Sequence, residues 1–160
     1  MGCYERFWLE TDMINMGNIF GYCHENCMEY YGIMIDKVKF LEAFMRANIR
    51  KEMENGQETL LTYASRIVVN KFIEVDNNGN YKQFKGKYND KFTNREWYWV
   101  GETYAYIHYM SEKSSKKLVE LISIETMLGM VEKGKNMKKE DFYRYLVLKG
   151  YLFGREKGKT

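Results

Sequence analysis

The segment TNREWYWVGETYAYIHYM, residues 93 to 110, constrains this chain more than any other. Thr93 followed by Glu96 matches a capping box, in which the Thr hydroxyl takes the amide of Glu96 and the Glu carboxylate reaches back. Phe92 and Trp97 stand at the two positions of a hydrophobic staple around that start. From Arg95 to Met110, seven of sixteen side chains carry an aromatic ring, counting the imidazole of His108. On a helical wheel one face collects Trp97, Val100, Gly101, Tyr104, Ile107 and His108, and Gly101 with Ala105 leaves a shallow groove for a neighbouring helix. The opposite face holds Tyr98, Trp99, Tyr106, Tyr109 and Met110 around Arg95 and Glu102. A helix apolar on both sides is a central one, packed upon from two directions. Alternatively its second face meets a protein partner, because Tyr and Trp with a nearby Arg dominate interface hot spots.

The rest of the chain also reads as helices. At 160 residues it fits one domain able to close its own core. Proline is absent, which favours helices joined by glycine and asparagine turns. Thr11 or Asp12 can cap a first helix with Met16, Phe20, Cys23, Cys27 and Tyr30 on one stripe and Gly32 at its end. A second runs from Asp36 through Val38, Leu41, Met45 and Ile49 to Asn55-Gly56. A third, from Glu58 to about Phe72, has Leu60, Ala64, Ile67, Val68 and Phe72 on its apolar side. Residues 75 to 90 lack helical period; Asp76 to Asn80 is turn chemistry, so the segment is a loop or a short hairpin. After Met110, Ser114 or Ser115, Ser123 and Asn136 open further helices, with Gly134 and Gly150 at C′ positions. The expected fold is all-α: one domain over residues 1–160, a compact bundle of six or seven helices around the central aromatic helix. Residues 150–160 form a basic tail that frays.

Charge and cysteine content bound the function. Residues 1–40 carry three basic and six acidic side chains, a balance of −3, and residues 111–160 carry twelve and seven, a balance of +5. No stretch of about eighteen apolar residues is present, so no membrane partner is expected. The start MGCYERFWLETDM is acidic where a signal peptide is basic, and Arg6 stands where myristoylation prefers Ser or Thr. With three cysteines, an odd number, the expectation is a cytoplasmic protein.

Most chemistries fit poorly. Cys23, His24 and Cys27, with Cys3 and His108 in reserve, resemble a zinc site, but no second close pair exists and the cysteines complete an apolar stripe. Core packing is the better reading, with no metal and no cofactor. Only His24 and His108 could serve as bases, and His108 lies on the inner face of the aromatic helix. No nucleophile elbow and no phosphate-binding glycine motif occurs, so no enzyme is expected. Nucleic-acid binding would use Lys133, Lys135, Lys138, Lys139 and Arg144, where lysines stand among tyrosines. Glu132, Glu140 and Asp141 interrupt that cluster, and a solvated lysine-rich surface is the plainer reading.

In order, CMEYYG, FLEAFMRANIRKEMENG, LLTYASRIVVNKFIE and WVGETYAYIHY span residues 27 to 109. That succession resembles an uncharacterised family of small helical bacterial proteins found beside toxin genes and labelled antitoxin-like. His108 stands where the family usually has Gln, and Tyr109 where it often has Trp. The resemblance implies a cytoplasmic, non-catalytic protein that binds another protein. The expected function is therefore a protein-binding inhibitor or neutraliser of a toxin or nuclease effector, antitoxin-like or an anti-CRISPR protein of a phage or mobile element. The alternative is a nucleic-acid-binding regulator. Candidate partner-binding residues are Tyr98, Trp99, Tyr106, Tyr109, Lys113, Lys116 and Lys117. The sequence leaves the oligomeric state open.

Overall fold

The computed structural model describes residues 6–26, 29–56 and 63–153. It is an all-α bundle, and its sheet content among the described residues is one two-residue strand pair. The helices are α1 (Leu9–Glu25), α2 (Lys37–Met45), α3 (Asn48–Glu54), α4 (Ser65–Lys71), α5 (Asn94–Ser111), α6 (Ser115–Leu121), α7 (Ile124–Gly129), α8 (Val131–Gly134) and α9 (Lys139–Leu148). Among the described residues these helices outnumber the expected six or seven because two of the expected ones are interrupted. The expected second helix breaks at Arg46-Ala47, where amide bonds to Ala43 and Phe44 tighten the last turn. The first-turn amide of Ile49 in α3 is then taken by Asp76, at 2.9 Å, from far along the chain. The helix opened by Ser123 breaks at Met130.

Local capping works largely as read. Thr93 and Glu96 form the capping box, with bonds of 3.0 and 3.1 Å. Asp36 accepts from the amides of Val38 and Lys39, Ser114 from Lys117 and Ser123 from Thr126. Three boundaries differ. α1 starts at Leu9, after a 3-10 turn over Arg6–Trp8, so Asp12 lies inside its first turn, buried in an ion pair, and not at the cap. Gly32 does not end a helix: α1 stops at Glu25, and Tyr31 and Gly32, both at positive φ, turn the antiparallel pair Glu29–Tyr30 and Ile33–Met34. α9 begins at Lys139 without a side-chain cap, so Asn136 does not open it. Of the third helix, residues 57–62, including Leu60, lie outside the described residues; Val68 and Phe72 are buried while Ile67 is exposed. The 75–90 segment starts in the end of a π-helical turn, Phe72–Asp76, and continues as a loop with a 3-10 turn, Tyr81–Phe84. Phe84 anchors it in a cluster with Phe40 and Phe72, and its carbonyl accepts from the Asp36 amide.

α5 is the centre of the bundle. Its inner face, Trp97, Val100, Gly101, Tyr104, Ile107 and His108, is buried throughout, and so are Trp99, Thr103 and Ala105 on other sides. α1 runs antiparallel along it at close range. A Cβ at Gly17 would lie 2.6 Å from the Tyr98 ring, one at Gly21 would touch Asn94, and one at Gly101 would strike the Met16 carbonyl. Small residues on both helices are what let the two backbones approach. No helix among the described residues is long and apolar enough to cross a membrane.

Candidate partner-binding groove

Among the described residues, most buried polar side chains fall in two clusters, with Thr103 outside both. In the first, Arg50 of α3 meets Asp12 of α1 through bonds of 2.7 and 2.9 Å, both side chains fully buried. The Arg50 Nε donates to Ser115 Oγ at 3.0 Å, and the Ser115 amide donates to Glu54 at 2.7 Å. His108 stands 3.5 Å from the same Glu54 oxygen, and its Nδ1 lies 2.7 Å from the Lys113 carbonyl. A carbonyl only accepts, so the neutral ring carries its proton on Nδ1. Burial lowers the His108 pKa, with Glu54 opposing and Arg50 assisting. This network ties α1, α3, α5 and α6 together in the interior.

In the second cluster, Lys37 at the start of α2 lies 2.8 Å from Asp90 and 2.6 Å from His24 Nδ1, over the Trp97 ring. Ammonium only donates, so His24 Nδ1 accepts and the neutral ring holds its proton on Nε2. Burial, then the Lys37 charge, lowers the His24 pKa. Burial pushes Asp90 upward, but hydrogen bonds from Lys37, the Phe92 amide and the Trp97 indole hold it below the usual carboxylate range. Cys23, next to His24 in sequence, is buried in the core, and burial pushes its thiol well above the usual range. Among the described residues no three metal-ligating side chains gather, while Cys3 and Cys27 lie outside them.

A surface cleft borders this cluster, lined by Lys37, Lys87, Tyr88 and Asp90, and a larger one lies elsewhere. Between α5 and α9 runs an open groove of about 410 Å³. Tyr106 and Met110, one turn apart on α5, form one wall. Glu140, Tyr143, Arg144 and Val147 form the other, at i, i+3, i+4 and i+7 on α9, and Arg6 completes the lining. α9 presents this stripe because Phe142 and Leu146, its opposite face, are buried in the core. Tyr106 and Tyr143 meet edge to face at 6.4 Å, and the Arg6 guanidinium stands 5.9 Å from the Tyr109 ring. Burial raises the pKa of both Tyr106 and Tyr143, so their hydroxyls stay protonated and able to donate. Phe7, Met110 and Leu148, at or beside this lining in the chain, are exposed large apolar side chains.

The chain matches no family profile, no curated protein and no solved structure.

The sequence-predicted residues are divided among several environments. Tyr106 lines the groove and Tyr109 borders it through Arg6. Trp99 is a packing residue, 6% exposed, edge-on to Phe142 and pressed against Gly134; its place on the outer face does not make it a contact residue. Tyr98 is half-buried over Gly17. Lys113 is half-buried, and Lys116 lines a different small cleft with Arg46 and Lys51 that shares no residue with the groove. Lys117 is exposed. Of the alternative set, Lys135 pairs with Glu96 and Glu132, Lys139 with Glu102, and Arg144 with Asp141. Lys133 stands over the Tyr145 ring, and Lys138 is exposed. Sequence reasoning passed over Arg6, Tyr143 and Val147. The 140, 143, 144, 147 spacing was the signal for the last two, visible once the core stripe of α9 is identified.

Proposed function

We propose that this chain is a non-enzymatic protein-binding inhibitor or neutraliser of a larger bacterial effector. It is antitoxin-like, or of the kind phages and mobile elements direct against a CRISPR nuclease. The observation that carries this reading is the groove between α5 and α9, where two tyrosines and two arginines converge beside exposed Met110. Tyr and Arg are the residue types that carry binding energy at protein interfaces, and a lining of mixed charge with Met110 and Val147 suits a protein surface. The resemblance of the motif succession over residues 27–109 to antitoxin-like proteins points to the same class. A nucleic-acid role is less well supported, because two of its five candidate cations, Lys135 and Lys139, are already paired with the carboxylates of Glu96 and Glu102.

Affinity purification of the tagged chain from its host, with and without nuclease, followed by mass spectrometry, tests the reading. A dominant protein partner that survives nuclease is the expected result. Partners that disappear with nuclease would replace it with the nucleic-acid reading.

A further inference from the structure

We infer that the small cleft where the end of α2, α3 and α6 meet is a binding site for a phosphate monoester dianion. It shares no residue with the groove between α5 and α9, so it stands apart from the reading above. Arg46 after α2, Lys51 of α3 and Lys116 of α6 bring cations to its lining from three parts of the fold, beside Ser114, Glu54 and the buried Met45. All three cations are exposed, and among the described residues none of them has an ion pair, whereas Lys37, Lys135, Lys139 and Arg144 each do.

Glu54 does not cancel this charge. Its carboxylate already takes the Ser115 amide at 2.7 Å and stands 3.4 Å from the Arg50 Nε. Three cations against that one carboxylate leave the lining two charges positive. Adding the groups that Glu54 touches changes nothing, because Arg50 is matched by Asp12 and His108 is neutral near pH 7. Of the carboxylates close along the chain, Glu42 accepts from the Ile124 amide at 3.3 Å. Glu52 lies about 100° round α3 from Lys51. Glu112 and Glu120 flank Lys116 in the chain, but so do Lys113 and Lys117.

Charge and size then select the ligand. A cation or a neutral group gains nothing from two uncompensated positive charges, while a phosphate monoester brings about −1.5 to −2 at neutral pH. A carboxylate or a phosphodiester brings one charge and leaves the other unanswered. The cleft measures about 150 Å³. Sites that enclose a drug-sized molecule run to roughly 300–1,000 Å³, so this one takes the phosphate group and leaves the body of a larger ligand outside. The donors suit tetrahedral oxygens. Arg46 offers a planar fork and the two lysines compact point charges. Ser114 Oγ accepts from the Lys117 amide at 3.1 Å, which leaves its own proton to donate.

The test is an NMR titration of the isotope-labelled intact protein with inorganic phosphate, adenosine monophosphate, dimethyl phosphate and acetate. Inorganic phosphate is expected to shift the amides around Arg46, Lys51 and Lys116 saturably, with a Kd on the order of 1 mM because the side chains are exposed. Dimethyl phosphate and acetate, each a single anion, should bind about tenfold more weakly. Adenosine monophosphate separates two sources of the group: equal affinity makes the phosphate alone the ligand, and tighter binding adds its nucleoside, either result supporting the site. Lys51→Gln/Lys116→Gln, at two exposed positions, should weaken phosphate binding about tenfold or more. Lys133→Gln/Lys138→Gln, which removes as much charge outside the cleft, should leave it unchanged. No saturable shift at the cleft, acetate binding as tightly as phosphate, or equal losses in the two variants would each overturn the inference.

Discussion

Arg50 and Asp12, which lie on α3 and α1, face each other through two near-parallel hydrogen bonds of 2.7 and 2.9 Å with no exposure to solvent. Neither charge can be left alone in that interior. Arg50→Met strands Asp12 and Glu54 as buried like charges and is expected to cost about 3–5 kcal/mol. The double variant Asp12→Ala/Arg50→Ala should lose less than the sum of the single losses, with a coupling of about 1–3 kcal/mol in a double-mutant cycle by urea denaturation. Additive single losses would mean that the two side chains do not share one interaction.

Gly101 sets the distance between α1 and α5. A methyl group there meets the Met16 carbonyl and the Phe20 ring, and backbone cannot give way as a side-chain end can. Gly101→Ala should therefore destabilise by about 3 kcal/mol, a Tm drop of about 6–12 °C by calorimetry. Gly129, at the end of α7, has nothing near its missing Cβ. Gly129→Ala should instead hold or raise stability, by up to about 1 kcal/mol. A wild-type Tm for Gly101→Ala would refute the close approach.

Both histidines make the fold acid-sensitive. Their native pKa values lie below 6.5, the ordinary value, so below that pH the unfolded chain takes up protons that the native one refuses. The stability they contribute is complete above pH 6.5 and falls as pH drops through the window below it. Protonated His24 would also lose its bond from Lys37 and face that ammonium as a like charge. Tm should fall between about pH 7.5 and about pH 5.5, and His24→Asn/His108→Asn should flatten the decline. An equally steep decline in the double variant would assign the effect to other groups.

The capping box at the head of α5 makes a smaller, local contribution. Thr93→Ala removes the acceptor for the Glu96 amide and is expected to cost about 1 kcal/mol. Thr93→Ser should retain most of that stability, which separates the hydroxyl from the methyl group. Chemical denaturation of both variants checks the pair.

What the chain determined alone rests on partners within three or four positions. The caps at Asp36, Thr93, Ser114 and Ser123 and the inner stripe of α5 all belong here, because helical geometry puts such residues side by side whatever the rest of the molecule does. The break at Arg46-Ala47 was harder to see, since the amide of Ile49 is satisfied by Asp76 and no nearby residue announces it. Asp12 looked like a cap for the same reason. Its choice of Arg50 over its own helix is a choice between interior and surface, and that exists only once α1 and α3 are packed. The tertiary structure alone decided that Trp99 is covered by α8 and α9 while Tyr106 remains at a groove. Both rings stand on the same outer face of one helix. Which is buried depends on where Gly134 and Phe142 arrive, and that is set by the packing of helices distant in sequence.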